Sequence, residues 1–215
     1  MDARILDPKT GKWIENLTDT STVWNHQWRA HGSQPGYGVK QSSQFLISKS
    51  TDDGLTWSEP RNITRQVKKE EWWLLAPGPG RGITMEDGTL VFPVEGRNED
   101  GLQFSTIMWS KDKGENWTVG EPAYYNTNEC QVVELSDHSL MLNMRERSNR
   151  GRQEGNGRAI AVTADLGKTW TEHPTSRRAL IEPACQASLL RHDYIEDGEE
   201  TSCYYSLPIL IQRAP

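Results

Sequence analysis

Short apolar runs separated by polar turn residues dominate this chain. Runs of four to eight residues rich in Val, Ile, Leu, Phe and Thr, bounded by Gly, Asp, Asn or Ser, are typical of β-strands. They occur in SQFLISKS, GTLVFPVEG, FSTIMWSKD, CQVVELSD, SLMLNMRE and RAIAVTAD. Turn pairs such as Asp53-Gly54, Asp87-Gly88 and Ser136-Asp137 separate consecutive runs at hairpin distances. The pattern predicts an all-β meander.

Helical periodicity is confined to one short stretch. The segment RQVKKEEWWLL, residues 65–75, favours a helix of a turn or two, and no other segment keeps a long 3.6-residue apolar period. Hydrophobic residues make up 34% of the chain, yet nine are tryptophan. Burial must therefore depend on large aromatic side chains set among polar turns, which suits short strands.

A second pattern occurs three times. The spacing Ser/Thr-x-Asp-x-Gly-x-Thr/Asn-Trp ends at Trp57, Trp117 and Trp170. Asp can accept hydrogen bonds from backbone N–H groups just ahead, Gly can adopt a positive φ, and Trp can fold back as an apolar plug. The tryptophans lie 60 and 53 residues apart, and a period of this size with several strands per interval favours a propeller over a solenoid.

Composition narrows the functional classes. The net charge of -6 and the pI near 5.4 give no general attraction to nucleic acid. No apolar run is long enough to span a bilayer, and residues 1–4 lack the apolar core of a signal peptide. Cys130, Cys185 and Cys203 show no C-x-x-C pairing, so we expect free thiols rather than a disulfide framework or a zinc site.

The three repeats resemble the Asp boxes of the sialidase (neuraminidase) superfamily. The segments PGPGRGITMEDGTLVFP, TNECQVVELSDHSLMLNMR and AVTADLGKTWTEHP are similar to bacterial exo-sialidases, and the resemblance covers almost the whole chain. It implies a six-bladed β-propeller with the sugar at its axis, Asp boxes on outer turns, and neither a metal nor an organic cofactor. At about 55 residues per blade, residues 1–208 form roughly four blades of an incomplete catalytic propeller.

The substrate explains which groups such a site needs. Sialic acid carries a carboxylate on its anomeric carbon, which bidentate arginines recognise, and the family uses three. That carboxylate repels an anionic nucleophile, which gives a reason for attack by a neutral Tyr hydroxyl instead of a carboxylate. In the family a glutamate takes the tyrosine proton and an aspartic acid protonates the leaving group, with net retention.

Two residues match this family pattern. Glu129 in TNECQVVEL matches the glutamate that activates the tyrosine, and Arg145 in LMLNMR matches the second carboxylate-binding arginine. A solvated loop carboxylate and a surface arginine are the plain alternatives. However, hairpin strands at 131–135 and 139–144 would return Arg145 to the sheet end where Glu129 begins, which favours a paired site.

Other candidates carry weaker signals. Glu95 occupies a position where relatives often have a pocket-facing glutamine, so it either lines the sugar site or is a plain strand-end carboxylate. Arg81 lies in the Gly-rich loop PGPGRG, which lacks the Lys-Ser/Thr of a phosphate loop and favours a structural turn. We expect the loop 145–158 to be solvated beyond Arg145.

Four residues form either a wall for the N-acetyl or glycerol group of the sugar or a large loop with buried aromatics: Trp28, His31, Tyr37 and Gln44. Two are expected in the core or between blades: Trp72 and Trp73.

The remaining catalytic groups have no match within the chain. The acid/base aspartate, the nucleophilic tyrosine and two of the three arginines are expected outside residues 1–215, since Arg4 resembles the start of a second blade and Tyr204 and Tyr205 precede the third arginine segment. The resemblance therefore indicates the central part of a retaining exo-α-sialidase, inactive by itself, acting on sialylated glycans or glycoproteins. The alternative is a non-catalytic sialoglycan-binding propeller module. An extracellular or periplasmic location is usual for such relatives.

The C-terminal tail departs from the family. Relatives continue with Ser-Asn-Pro-Asn, whereas residues 208–214 are PILIQRA. Restoring one base after the Pro208 codon yields Pro-Asn-Ser-Asn-Ser-Lys-Gly. The hypothesis is that residues 209–215 are out of frame.

Overall fold

The computed structural model describes residues 33, 35–37, 42–149, 156–182 and 184–208. The predictions for Arg4, Trp28, His31 and the tail at 209–215 lie outside this part of the chain. Within it the chain is almost entirely β-structure, with one helical turn, α1 (Thr64–Val67), and one 3-10 turn (Arg147–Asn149). The strands are β1 (Leu46–Ile47), β2 (Arg61–Asn62), β3 (Leu74–Pro77), β4 (Ile83–Thr84), β5 (Leu90–Arg97), β6 (Gln103–Ser110), β7 (Thr118–Val119), β8 (Tyr124–Tyr125), β9 (Thr127–Glu134), β10 (Leu140–Glu146), β11 (Ala159–Thr163), β12 (Thr171–Glu172), β13 (Ala187–Glu196) and β14 (Glu199–Pro208).

The strands form four successive antiparallel sheets, which we call blades 1 to 4. Blade 1 contains β1 and β2, and blade 4 contains β13 and β14. Blade 2 has the order β3-β5-β6-β7, with β4 on β5 and β8 on β6, and blade 3 has the order β9-β10-β11-β12. Strands that follow one another along the chain and pair in order are characteristic of propeller blades. The prediction of an all-β partial propeller is confirmed.

The apolar runs predicted from the sequence form the inner strands of blades 2 and 3. In β6 seven of eight residues are buried, and β5 and β9 are nearly as enclosed, because each sheet is covered on both faces by its neighbours. The predicted helix is limited to α1, and the remainder of 65–75 includes the start of β3. Hairpin β13–β14 was not predicted, although its Asp197-Gly198 turn carries the usual signal, with φ of 52° and 85°.

Two apolar layers hold the blades face to face. One lies between blades 1 and 2 and includes Phe45, Trp72, Val94 and Phe104, with the Trp72 and Phe104 rings 4.6 Å apart. The second lies between blades 2 and 3. Its buried members are Met85, Val91, Ile107, Cys130, Val132, Leu140, Leu142, Met144, Ala159 and Ala161. The core prediction for Trp72 is therefore correct, and the apolar layers fix the blade that carries Glu129 against its neighbour.

The three Asp boxes close the turns that join β1 to β2, β6 to β7 and β11 to β12. In the second box the Asp112 carboxylate accepts hydrogen bonds from the Asn116 N–H at 2.8 Å and its side-chain amide at 2.7 Å. In the other two boxes Asp52 and Asp165 accept the N–H and the side-chain hydroxyl of a threonine four positions later. In each box these hydrogen bonds lower the aspartate pKa to about 2. These aspartates serve the turns, as predicted.

Candidate active site

The strand register separates two ends of blade 3. Arg145 on β10 is opposite Asn128 on β9, while Leu140 at the other end of β10 is opposite both Glu134 and Thr163. The third Asp box begins at Thr163, so Glu129 and Arg145 share one pole of the blade and the box occupies the other. The predicted hairpin thus returns Arg145 to the end where Glu129 lies.

Glu129 and Arg145 form an ion pair at this pole. Arg145 Nη1 lies 3.1 Å from Glu129 Oε1, and the two side chains are 22% and 30% exposed. Arg145 Nη1 also lies 3.5 Å from Asn128 Oδ1, while its buried Nε has no hydrogen-bond partner among the described residues. The Arg145 guanidinium is partly exposed, and the Glu129 carboxylate does not occupy all of its N–H donors, so donors remain for a ligand anion.

The backbone of Glu129 adopts an uncommon conformation. Its φ is 34°, in the region that non-glycine residues rarely adopt. The strand register explains this, because the pairs Asn143–Gln131 and Arg145–Asn128 advance two residues along β10 but three along β9. The extra residue makes a β-bulge, and bulges commonly re-aim a side chain next to a functional site.

Glu95 lies behind Glu129 within β5 and is only 5% exposed. Its Oε2 accepts the backbone N–H of Glu129 at 2.7 Å. Burial raises the pKa of Glu95 to about 7; the Glu129 N–H and Arg145 oppose this rise, and the negative charge of Glu129 adds to it. Glu95 is therefore neither exposed nor at a strand end, and its contact with a sugar stays a prediction.

The loop 145–158 differs from its prediction. Glu146, Asn149 and Arg158 are 4%, 3% and 0% exposed, so the expectation of a solvated loop beyond Arg145 is wrong at these positions. Each polar group is buried because it finds a partner: Glu146 pairs with Arg177, and Arg158 pairs with Glu182. Only a weak sequence signal indicated that Arg158 is buried: it directly precedes the apolar run AIAV.

The remaining candidates lie in structural contacts. The Gly-rich loop is fixed through the Pro79 carbonyl, which accepts bonds from the Gln131 and Gln186 amides, the latter at 2.9 Å. Tyr37 donates its hydroxyl to the Lys68 carbonyl at 2.7 Å, and Gln44 accepts the Asn62 amide at 2.8 Å. These contacts favour the structural interpretation of the three segments.

A cleft of about 740 Å³ lies at the opposite pole, between Asp87 of blade 2 and Asp165 of blade 3. Three side chains of its lining meet there, with the His138 ring nitrogen 3.2 Å from Glu134 and 3.3 Å from Glu86. We place the candidate active site at Glu129 instead, because the axial site of a propeller is assembled from several blades and need not form a cleft within one pair of blades.

Among the helices of the described residues, none has the length and apolar character of a membrane span.

The four blades and their three Asp-box turns define an Asp-box β-propeller, with the Glu129–Arg145 pair at the end opposite those turns. A family model for BNR repeat-like domains matches residues 23–208. The chain is 49% identical to a sialidase of Bacteroides fragilis over 182 residues, which cover 80% of this chain and 32% of that protein. A sialidase of Clostridium perfringens is 33% identical over 205 residues, 88% of this chain and 50% of the relative.

A solved structure leads to the same family. The Hadza microbial sialidase Hz136 is 40% identical, with a TM-score of 0.73 over 94% of this chain and 39% of that one. The chain belongs to the family of BNR repeat-like domains, and the two curated relatives named above are bacterial sialidases. It spans about a third to a half of the length of these curated relatives.

Proposed function

We propose that this chain supplies the central part of a retaining exo-α-sialidase that removes terminal sialic acid from glycans or glycoproteins. The observation that carries the proposal is the Glu129–Arg145 pair at 3.1 Å on the pole opposite the Asp boxes. The sialidases to which the chain is similar support the same reaction class.

Each member of the pair has a distinct role in this proposal. Arg145 binds the carboxylate of the sugar, since its free donors and its charge suit a planar anion. Glu129 accepts the proton of a tyrosine hydroxyl as that oxygen bonds to the anomeric carbon, and an aspartic acid gives its proton to the departing glycosidic oxygen. Water then cleaves the tyrosyl intermediate with retention. The tyrosine and the aspartic acid are expected outside residues 1–215, so the isolated chain should not turn over substrate.

The test is hydrolysis of a fluorogenic sialic acid glycoside by the 215-residue chain and by the complete gene product. In the complete protein, Glu129→Gln should lower kcat by about 100- to 10,000-fold, the usual contribution of a positioned acid or base. Glu134→Gln is the matched control, because Glu134 ends the same strand at the opposite pole, and it should leave kcat unchanged.

Three results would change this view. Full turnover by Glu129→Gln would remove Glu129 from its role. Turnover by the short chain would place the acid and the nucleophile within residues 1–215. Binding of sialosides without cleavage by the complete protein would favour the sialoglycan-binding module.

A further inference from the structure

Arg158 is a fully buried cation beside the candidate active site. Its guanidinium Nη1 lies 2.7 Å from Glu182 Oε2 and 3.0 Å from the Cys185 carbonyl oxygen, and both side chains of the ion pair are 0% exposed. Burying a charged pair costs several kcal/mol for each ion and seldom stabilises a protein more than apolar packing does. The pair therefore calls for an explanation other than stability.

The other donors of Arg158 reach the two strands that carry the site. Nη2 donates to the backbone carbonyl of Glu129 at 3.4 Å, and Nε donates to the side chain of Asn143, two residues before Arg145. Glu182 is itself fixed, because its Oε1 accepts the Cys185 N–H at 3.0 Å. Glu182 and Cys185 thus hold the guanidinium, and the guanidinium holds both strands.

These contacts fall on the β-bulge of β9. The Glu129 N–H is held by the Glu95 carboxyl at 2.7 Å and the Glu129 carbonyl by Arg158, so side chains bind the peptide groups on both sides of the residue. A residue at a φ of 34° persists only where its surroundings over-determine it. The guanidinium of Arg158 donates to four acceptors at once, whereas a lysine ammonium has only three N–H donors, all on one atom.

We infer that Arg158, anchored by Glu182, is a positioning residue that holds the Glu129 bulge and so aims the Glu129 carboxylate at Arg145 and the reacting tyrosine. The inference rests on the proposed function for its kinetic consequence. Its structural consequence, a locally ordered bulge, is independent of activity.

The test uses two variants of the complete gene product and one control. Arg158→Lys keeps the buried charge beside Glu182 but loses the fork. The double variant Arg158→Met with Glu182→Met removes both charges, so that neither is left buried and unpaired. Arg177→Met is the control, because Arg177 also pairs with glutamates of blade 3, Glu146 and Glu172, but no hydrogen bond or ion pair joins it to Glu129.

Two measurements separate positioning from general stability. Hydrolysis of the fluorogenic sialoside by either variant should show kcat reduced about 10- to 100-fold with KM little changed. Displacing a catalytic group by about 1 Å lowers the reaction rate by a factor of this size. Hydrogen exchange followed by NMR should show faster exchange at the Glu129 amide than at the other amides of β9, at similar melting temperatures. The control should change neither.

An unchanged kcat and an unchanged Glu129 amide would overturn the inference. Exchange that accelerates equally along β9 would overturn it as well, even with a lower kcat, because Arg158 would then act only through stability. If the unmodified gene product shows no turnover, the proposed function fails, and the exchange comparison alone decides whether Arg158 orders the bulge.

Discussion

The carboxyl group of Glu95 is buried beside the backbone of Glu129. It is enclosed in blade 2 and accepts the Glu129 N–H, and its pKa is raised from 4.5 to about 7. The folded state therefore retains the Glu95 proton over a pH range in which the unfolded chain has lost it. Stability from this group is greatest at low pH and declines as the pH rises from about 4.5 to 7.

This titration predicts the effect of Glu95→Gln. The glutamine keeps an oxygen that can accept the Glu129 N–H, but its amide cannot ionise. The decrease in the free energy of unfolding with rising pH, on the order of 3 kcal/mol for Glu95, should therefore disappear. Urea unfolding at pH 5 and pH 8 measures the difference. Glu99→Gln is the control, since Glu99 is exposed on the turn after β5. Equal pH dependence in the Glu95 variant and the unmodified protein would contradict the prediction.

Arg145 offers a second prediction for a single residue. Arg145→Lys keeps the charge beside Glu129 but loses the planar fork, so one charge-assisted hydrogen bond to a bound carboxylate should disappear. We expect sialic acid binding by the complete gene product to weaken by about 10- to 100-fold, the equivalent of one such bond. Isothermal titration calorimetry measures the change, and an unaltered Kd would exclude Arg145 from carboxylate binding.

The three Asp boxes are alike in their turns and differ in their tryptophans. The Trp57 and Trp117 indoles donate to Gly54 and Gly114 of their own boxes, at 3.1 and 3.0 Å. The Trp170 indole donates to the Glu121 carbonyl of blade 2 at 2.8 Å. The same motif thus closes its own turn in two blades and joins neighbouring blades in the third.

Burial predicts which of these tryptophans matters for stability. Trp117 is 4% exposed and packs on Phe92 at 5.5 Å, whereas Trp57 is 65% exposed. Trp117→Ala should lower the free energy of unfolding by about 3 to 5 kcal/mol, and Trp57→Ala should lower it by about 1 kcal/mol or less. Chemical unfolding of both variants tests this. Similar costs would mean that the turn, rather than the packed indole, supplies the stability.

At the scale of the whole molecule, blades 2 and 3 approach closely at two glycines. A Cβ added at Gly167 would lie 3.1 Å from Gly120 Cα and 3.2 Å from Ile107 Cγ1. The Glu121 N–H donates to the Gly167 carbonyl at 2.8 Å at the same contact. Backbone is packed against backbone there, so a side chain would force the neighbouring atoms to shift.

A matched pair of substitutions tests this contact. Gly167 and Gly88 have φ of 82° and 85°, so alanine meets the same backbone strain at both, but nothing lies within 4 Å of a Cβ at Gly88. Gly167→Ala should be less stable than Gly88→Ala by about 1 to 3 kcal/mol, the cost of overpacking. Thermal unfolding compares the two, and equal melting temperatures would show that the blades can separate there without loss.

The sequence by itself determined the features that depend on neighbouring residues. Alternating apolar runs and turn pairs determined the inner strands, and the Ser/Thr-x-Asp-x-Gly spacing determined the Asp-box turns, because those hydrogen bonds join residues four or fewer positions apart. The resemblance to sialidases marked Glu129 and Arg145.

Only the tertiary structure decided the surroundings of Glu129. Glu95 comes from another blade, 34 positions earlier, and Arg158 directly precedes β11, 29 positions later. A buried charge and an exposed charge look the same in a sequence, since burial depends on partners such as Glu182 that the folded blades bring together. The loop 145–158, which was predicted to be solvated, therefore supplied the buried Arg158.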